Sequence, residues 1–260
     1  MRGVINVIIP DIFTYICDFA FYDCDSLKSI TMGDGITSIG NLAFAECSNL
    51  TDIVLKNCIT IGYNTFRNCI SLNSIKIPAS VTSIGQCTFE DCDNLTTIDV
   101  DENNQYYKSI DGNLYSKEGT TLVQYAIGKK NTTFEIPHSV TSINSYAFSG
   151  CDTLTVIIIP KSITAIDALA FSNLNSLTSI AIPDSTTYIG EYAFEGCENL
   201  ISVIIPNSVT TIRYCVFSSC KNLTDVYYTG TEEEWAAITI EDGNQWLTNA
   251  TIHFNYVPEE

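Results

Sequence analysis

The chain has 260 residues, 45% of them apolar, which is ample for a buried core in one or two domains. Lys and Arg number 12 against 30 Asp and Glu, so the net charge of −18 disfavours binding to nucleic acid or to anionic membranes. No run reaches the roughly 18 apolar residues of a membrane span, so no membrane insertion is expected. The first ten residues lack the small-residue cleavage site of a signal peptide.

Phenylalanine recurs along the chain at intervals of 22 or 23 residues, with one interval of 59 residues. A period of this size indicates a solenoid, in which one unit cannot bury its apolar side alone and neighbours stack into a common core. The eight anchors of the period are Phe21, Phe44, Phe66, Phe89, Phe148, Phe171, Phe194 and Phe217.

The front of the chain fits the later part of one unit. Val4, Val7 and Ile9 occupy the columns that lie 6, 9 and 11 residues after the Phe in complete units. The chain is therefore expected to begin within a repeat, without a cap. Because unpaired strands invite association, we expect self-association of this edge or disorder of roughly the first repeat.

Each complete unit predicts two short strands and a turn. Counted from the Phe, the apolar positions +9 and +11 alternate with +8 and +10, which is the period of a strand with one buried face. Pro at +12, as in Pro78, ends this strand because it has no N–H for a ladder. A Val-Thr-x-Ile stretch predicts a second short strand on another side of the coil, and the Ala-Phe segment is long enough only for a turn.

The 59-residue interval holds an extra segment. Residues 106–110, the dipeptide Asp111-Gly112 and residues 113–115 predict a hairpin, since Asp-Gly suits a type I′ turn. Residues 117–119 predict a second turn. We interpret the segment as a β island inserted in the solenoid. A domain boundary is the alternative, and it is disfavoured because the repeat resumes at once.

After Tyr228 the repeat stops. Thr231 and Glu234 form a capping-box pattern that predicts a short helix with Trp235 and Ile238, and residues 248–256 alternate like a strand. We interpret both as a cap over the open end of the stack. The predicted organisation is N-terminal repeats over residues 1–100 with the first one truncated, the island over 101–135, C-terminal repeats over 136–230 and the cap over 231–260.

The Leu-x-x-Ile-x-Ile core resembles a leucine-rich repeat, although the usual Asn of that repeat is absent. Residues 136–151 (Ile-Pro-His-Ser-Val-Thr-Ser-Ile-Asn-Ser-Tyr-Ala-Phe-Ser-Gly-Cys) resemble the BspA-like, Treponema-type variant, and eight copies carry the match across nearly the whole chain. The resemblance implies a bacterial or protist protein that is secreted or held at the cell surface and serves in adhesion to host or matrix components. It supplies no catalytic residues.

Eleven cysteines are the main candidates for other chemistry. Leu174 takes the place of the column cysteine once, so the column is interpreted as buried thiols. A disulfide ladder is the alternative, although stacking at about 4.8 Å exceeds the mean Cβ separation of about 3.8 Å in disulfides. The sequence supports a zinc site even less, because there is no Cys-x-x-Cys pair and only His138 and His253 could serve as additional ligands. The seven cysteines at +3 are Cys24, Cys47, Cys69, Cys92, Cys151, Cys197 and Cys220.

Acidic pairs such as Asp91/Asp93 are interpreted as solvated turn charges, because no calcium-binding loop pattern surrounds them. No Ser-His-Asp constellation, glycine-rich phosphate loop or catalytic carboxylate pair is recognisable. The sequence therefore predicts no enzyme, no cofactor and no metal site.

The outward positions of the first strand differ between the two halves of the array. They are mostly polar before the island, as at Ser74 and Lys76, and after it they include an apolar stripe across adjacent repeats. A contiguous apolar patch indicates an interaction site, so we predict this stripe as the recognition surface for a protein or glycan, with three island tyrosines at its edge. Burial of the stripe under the island, or simple tolerance, are the alternatives. The predicted surface comprises Val156, Ile158, Ala181, Ile204, Tyr227, Tyr106, Tyr107 and Tyr115.

These features favour a non-enzymatic binding module. The alternative is a structural spacer that presents another domain of a larger surface protein. An enzyme would need its site on the island or the cap, where no catalytic pattern is found.

Overall fold

The computed structural model describes residues 5–258, in two compact units that divide between Lys129 and Lys130. Each unit is a β-solenoid of short parallel strands and turns, which confirms the predicted fold. Val4, which the sequence assigns to the first column, lies outside the described residues. Neither helix among residues 5–258 has the length and apolar character needed to cross a membrane.

The first unit contains two parallel ladders and a three-stranded antiparallel segment. One ladder runs β1–β3–β5 and continues as the pair β7–β9, and the other runs β2–β4–β6–β8. Its strands are β1 (Asn6–Ile8), β2 (Tyr15–Ile16), β3 (Ser29–Thr31), β4 (Ser38–Ile39), β5 (Asp52–Val54), β6 (Thr60–Ile61), β7 (Ser74–Ile77), β8 (Ser83–Ile84), β9 (Thr97–Val100), β10 (Tyr107–Ile110), β11 (Asn113–Ser116) and β12 (Thr121–Gln124).

The second unit repeats the same design. Its first-strand ladder consists of the pair β13–β15 and the sheet β17–β19–β21–β23, and its second-strand ladder runs β16–β18–β20–β22. Its elements are β13 (Thr133–Glu135), β14 (Ser142–Ile143), β15 (Val156–Ile158), β16 (Ala165–Ile166), β17 (Ser179–Ala181), β18 (Tyr188–Ile189), β19 (Ser202–Ile205), β20 (Thr211–Ile212), β21 (Asp225–Tyr228), α1 (Glu232–Ala236), β22 (Thr239–Ile240), α2 (Gln245–Thr248) and β23 (Thr251–His253).

Register follows the apolar columns of the sequence. Val7 pairs with Ile30 and Ile30 with Ile53, so the first strand takes the column position expected of it. Ile30 and Ile53 are buried and Val7 at the front is half-buried, whereas Ile8 on the outward face is 79% exposed. Self-association of this front edge stays a prediction.

The turn around each Phe forms a third hydrogen-bonded side of the coil. Phe44 donates its N–H to the carbonyl of Thr65 at 2.9 Å, and Phe171 to that of Ala193 at 2.9 Å. The residues two positions before and after each Phe adopt left-handed backbone, with φ of 54° at Leu42 and 71° at Gly196. Gly, Asn and Asp accept this conformation at low cost, which explains their frequency two positions after the Phe.

The phenylalanine rings form the centre of each stack. Ring centroids of neighbouring repeats lie 5.2–5.8 Å apart in the first unit and 5.1–5.4 Å apart in the second, with nearly parallel planes. Seven of the eight rings are buried, and Phe21 at the front is half-buried. The Phe column is therefore continuous within each unit.

The island differs slightly from its predicted bounds. β10 and β11 form an antiparallel hairpin whose turn has φ of 49° at Asp111 and 74° at Gly112, and β12 pairs antiparallel with β11. Thr133–Glu135, included in the predicted insertion, instead pairs in parallel with β15. The short run Thr-Phe-Glu carries the alternation of a first strand, but its repeat lacks the anchoring Phe that revealed the others.

The cap helix begins as predicted and contains Trp235, but it ends at Ala236, so the inclusion of Ile238 in the helix is wrong. Thr231 accepts from the N–H of Glu234 and the Glu234 carboxylate accepts from the N–H of Thr231, so the capping box is present. The predicted strand over residues 248–256 is wrong at its start, because Thr248 belongs to α2, whose Leu247 side chain is buried. Only Thr251–His253 extends the first-strand ladder, in parallel with β21.

Candidate binding surface

The outward side chains of neighbouring first strands stand in register in the second unit. Parallel pairing places Ala181 opposite Ile204 and Ile204 opposite Tyr227, while the intervening inward residues, such as Val203, are buried. Ile158 occupies the same column on β15, which lies beside β17. Period-two alternation thus turns a sequence column into one continuous strip of side chains.

These side chains line an open groove of about 450 Å³. Val156 and Ile158 are 43% and 47% exposed, so the alternative in which the stripe is buried is wrong. Ala181 ends at Cβ between the branched side chains of Ile158 and Ile204, so the column has a notch there. The groove is lined by Val156, Ile157, Ile158, Ile159, Ser179, Ile180, Ala181, Ser202, Ile204, Tyr227 and Tyr256.

An aromatic cluster forms one end of the groove. The Tyr227 ring stacks on the His253 imidazole, and its centroid lies 4.7 Å from those of both His253 and Tyr256. His253 Nε2 lies 2.7 Å from Asp225 Oδ1. The hydrogen bond from His253 is the main reason that the pKa of the Asp225 carboxyl is lowered from its usual value. His253 and Tyr256 were not among the predicted surface residues, because the alternation over residues 248–256 predicted a strand of the cap and not its place beside the groove.

The groove lining carries no charged side chain, and charge begins only at its two ends. Glu135 pairs with Ile158 across β13 and β15 at one end, and Asp225 lies beside His253 at the other. Because a charge moved into the apolar middle would lose water without gaining a partner, this surface favours an uncharged apolar contact.

A more polar depression of about 550 Å³ lies on the same unit. Asn199 and Asn222 among its lining residues donate their side-chain amides to the carbonyls of Asn175 and Glu198 in the preceding repeat, each at 2.8 Å. These donors are already used to hold successive turns together. These two side-chain amides therefore have a structural role, and the depression is a weaker candidate for binding a ligand through them.

The three island tyrosines do not form one exposed set. Tyr115 is 1% exposed, and its burial raises the pKa of the phenol to about 12. Tyr107 is half-buried and its hydroxyl accepts from the N–H of Ile84 at 3.2 Å. Tyr106 alone is exposed, at 54%. The assignment of Tyr115 to a recognition surface is therefore wrong, because its side of the hairpin packs inside the first unit.

The buried Asn104 connects the island to the solenoid. Its amide donates to the carbonyls of Pro78 and Val81 at 2.9 Å, and its Oδ1 accepts from the N–H groups of Tyr106 and Tyr107 at 2.8 Å. A fully satisfied amide in the interior fixes the direction in which the chain leaves the ladder. Asn104 lies in a polar run of the sequence, where nothing indicates this buried role.

The column cysteines have a structural role that composition does not show. All eleven cysteines are free, as the interpretation of buried thiols expects. Five column thiols donate to the carbonyl of the Phe one repeat earlier, as Cys69 does to Phe44 at 3.2 Å. Burial raises the pKa of Cys47 and Cys197 to about 12, so these thiols stay protonated donors. The five donors are Cys47, Cys69, Cys92, Cys197 and Cys220.

Within residues 5–258, no three His, Cys, Asp or Glu side chains stand close enough together to hold a metal ion. Cys17 is exposed and Cys87 and Cys215 are half-buried, whereas the off-column Cys58 is buried.

Family comparison matches both units. The family described as BspA type leucine rich repeat region, in six copies, matches residues 3–118 and 124–238. The chain belongs to this family. The comparison with curated proteins gives no match.

Solved structures of bacterial proteins are similar to this BspA-type chain over most of its length. A leucine-rich repeat protein from Eubacterium ventriosum is 27% identical with a TM-score of 0.79, and the alignment covers 97% of this chain and 73% of that one. A leucine rich cell surface protein from Faecalibacterium prausnitzii is 30% identical with a TM-score of 0.61, covering 92% and 83%. The pneumococcal vaccine antigen PcpA, at 21% identity and a TM-score of 0.73, covering 94% and 72%, shares the fold.

Proposed function

We propose that this BspA-type chain is a non-enzymatic binding module of a secreted or cell-surface protein, which takes a protein partner on the groove of its second unit. The supporting observation is the register of that groove: successive repeats align exposed or half-buried apolar side chains in one column. Contiguous exposed apolar surface of this kind marks interaction sites, whereas single exposed residues do not.

Two further observations support the proposal. The family match and the similarity to a leucine rich cell surface protein of Faecalibacterium prausnitzii favour a surface location. The floor of Val, Ile and Ala offers area for apolar side chains but few hydrogen-bonding groups, which favours a protein over a glycan. Adhesion to host or matrix components would be one use of such a module.

The test is capture of surface and matrix proteins by the immobilised chain. The variant Ile158→Asp with Ile204→Asp places two charges on the groove, and Val54→Asp places one on the same outward column of the first unit, where Val54 is 48% exposed. We expect a captured protein to be retained by Val54→Asp and lost by the double variant. With that protein purified, its Kd should rise by about tenfold or more for the double variant.

Circular dichroism and thermal melting of both variants provide the folding control, since Val54 and Ile158 are exposed and Ile204 is half-buried. Equal capture by the native chain and the double variant would refute the groove as the binding surface. Enrichment of no protein by the native chain would favour the spacer alternative.

A further inference from the structure

The notch in the groove is the feature with the most specific shape. Ile158, Ala181 and Ile204 are consecutive members of one outward column, and the middle side chain is a single methyl group. The strands are about 4.8 Å apart, so Ile158 and Ile204 stand about 10 Å apart with the space above Ala181 between them. That space accepts one bulky apolar side chain and no more.

Charge near the two ends of the groove distinguishes one end from the other, and Asp225 stands in the neighbouring outward column, opposite Ser202. Asp225 already accepts from His253 at 2.7 Å and from Thr224 Oγ1 at 2.8 Å. The Glu135 side chain is 60% exposed, and its ion-pair contact among residues 5–258 is with His138, at 3.7 Å. A cation from a partner would therefore find its carboxylate at the Glu135 end.

The distance from the notch at Ala181 to the Glu135 carboxylate can be compared with the length of a short peptide. Glu135 pairs with Ile158 on the next strand, and Ala181 lies one strand further, so the two positions are about two strand spacings, or roughly 10 Å, apart. A peptide in the extended polyproline II conformation rises about 3.1 Å per residue with three residues per turn, so side chains three residues apart face the same side. Three residues of such a peptide span the distance.

We infer that Ala181 determines the specificity of the groove, which selects an extended protein segment with a bulky apolar side chain and, three residues away, a Lys or Arg. The apolar side chain fills the notch between Ile158 and Ile204, and the cation pairs with Glu135. The inference rests on the proposed binding function and adds the chemistry of its partner. The uncharged lining excludes a charged anchor, and the net charge of −18 adds a long-range attraction for a basic segment.

The test uses the full chain and synthetic peptides. The capped hexapeptide Ser-Phe-Ser-Ser-Arg-Ser and its reverse are titrated against the methyl signals of Val156, Ile158 and Ile204 by NMR. Matched peptides replace Phe with Ser or Arg with Glu. The protein variants are Ala181→Leu, which fills the notch, Glu135→Lys, which reverses the end charge, and Thr31→Leu, which makes a similar change on the outward column of the first unit.

We expect saturable shifts at the three methyl-bearing residues with the Phe-Arg peptide in at least one order. Ala181→Leu and the Phe-to-Ser peptide should each raise Kd by about tenfold or more, and Thr31→Leu should leave it unchanged. Glu135→Lys should weaken the Arg peptide and strengthen the Glu peptide. Equal affinity of the native and Ala181→Leu chains, or no saturable shift with either Phe-Arg peptide, would overturn the inference.

The same variants separate this inference from the proposed function. A partner protein that is lost with the double Asp variant but retained by Ala181→Leu leaves the binding function standing and refutes the notch. A partner retained by the double Asp variant refutes the groove itself.

Discussion

The first-strand ladders of the two units have the same register but differ in the chemistry of one outward column. In the first unit this column carries Thr31, Val54 and Lys76, and Lys76 Nζ lies 3.8 Å from the Asp101 carboxylate. In the second unit the same outward positions carry Ile158, Ala181, Ile204 and Tyr227.

This difference separates what the fold requires from what it permits. Inward positions are buried in both units, so the solenoid constrains them to apolar side chains of fixed size. Outward positions have no such constraint. Val54 shows the contrast, because it is a single exposed apolar residue between Thr31 and Lys76 on the neighbouring strands, whereas Ile204 continues a column.

The largest expected effect is a loss of stability when a ring is removed from the Phe stack, which both units share. Phe171→Ala and Phe66→Ala each remove a ring that is 0% exposed and stacked on both sides. Each should cost about 3–5 kcal/mol of unfolding free energy, which is a large part of a typical stability of about 5–15 kcal/mol. Denaturant unfolding gives the free energy, and hydrogen exchange should locate the lost protection in residues 130–258 for Phe171→Ala and in residues 5–129 for Phe66→Ala.

The half-buried Phe21 provides the matched control, because it stacks on Phe44 alone among the column rings and has more of its surface exposed already. Its substitution by Ala should cost less than either interior change. An unchanged melting temperature for Phe171→Ala would mean that the Phe column is not the core of the repeat.

Much of this architecture could be predicted from the sequence, because one period fixes many positions at once. The Phe spacing gave the stack, and alternation around +9 gave the outward column with Ile158 and Ile204. The end of the groove could not be found in the same way, since His253 and Tyr256 lie in the cap, outside the period. Tyr115 was misassigned because alternation in a hairpin does not tell which face packs against the solenoid.

The column cysteines whose thiols donate to Phe carbonyls give a second test of the shared interior, with a smaller expected effect. Cys69→Ala removes a donor to the Phe44 carbonyl and some buried volume, but that carbonyl still accepts from the N–H of Cys47 at 3.3 Å. We therefore expect a loss of about 1–2 kcal/mol, below that of the Phe change. Cys220→Ala, at the same place in the second unit, should cost a similar amount.

Substitution of Leu174 is the complementary test, because this buried residue occupies the cysteine column in the one repeat that has no cysteine there. Leu174→Cys restores a donor but loses apolar volume, so it should not stabilise the chain. Denaturant midpoints of the three variants measure these effects. A free energy of unfolding unaltered by Cys69→Ala would show that the thiol hydrogen bond contributes nothing.

The smallest expected effect concerns the acid dependence of stability that one carboxyl group contributes in each unit, Asp101 in the first and Asp225 in the second. The pKa of Asp225 is lowered mainly by the side-chain hydrogen bond of His253, and that of Asp101 mainly by the backbone N–H of Asn103. A carboxyl with a lowered folded pKa stabilises the protein fully above its unfolded value, near 3.9, and loses that contribution as the pH falls through the folded value. Both groups should therefore weaken the fold only in acid.

Because different donors lower the pKa of Asp225 and that of Asp101, the two pKa values should respond differently to mutation. His253→Ala should raise the pKa of Asp225 towards its usual value, because the main donor is removed, and should reduce the acid dependence of stability in the second unit. Lys76→Ala should change the pKa of Asp101 less, because the Asn103 N–H remains. Carboxyl carbon NMR titration measures both groups in one experiment. A larger change at Asp101 than at Asp225 would contradict this assignment, and it would mean that the side-chain cation rather than the backbone governs the acidic face of the first unit.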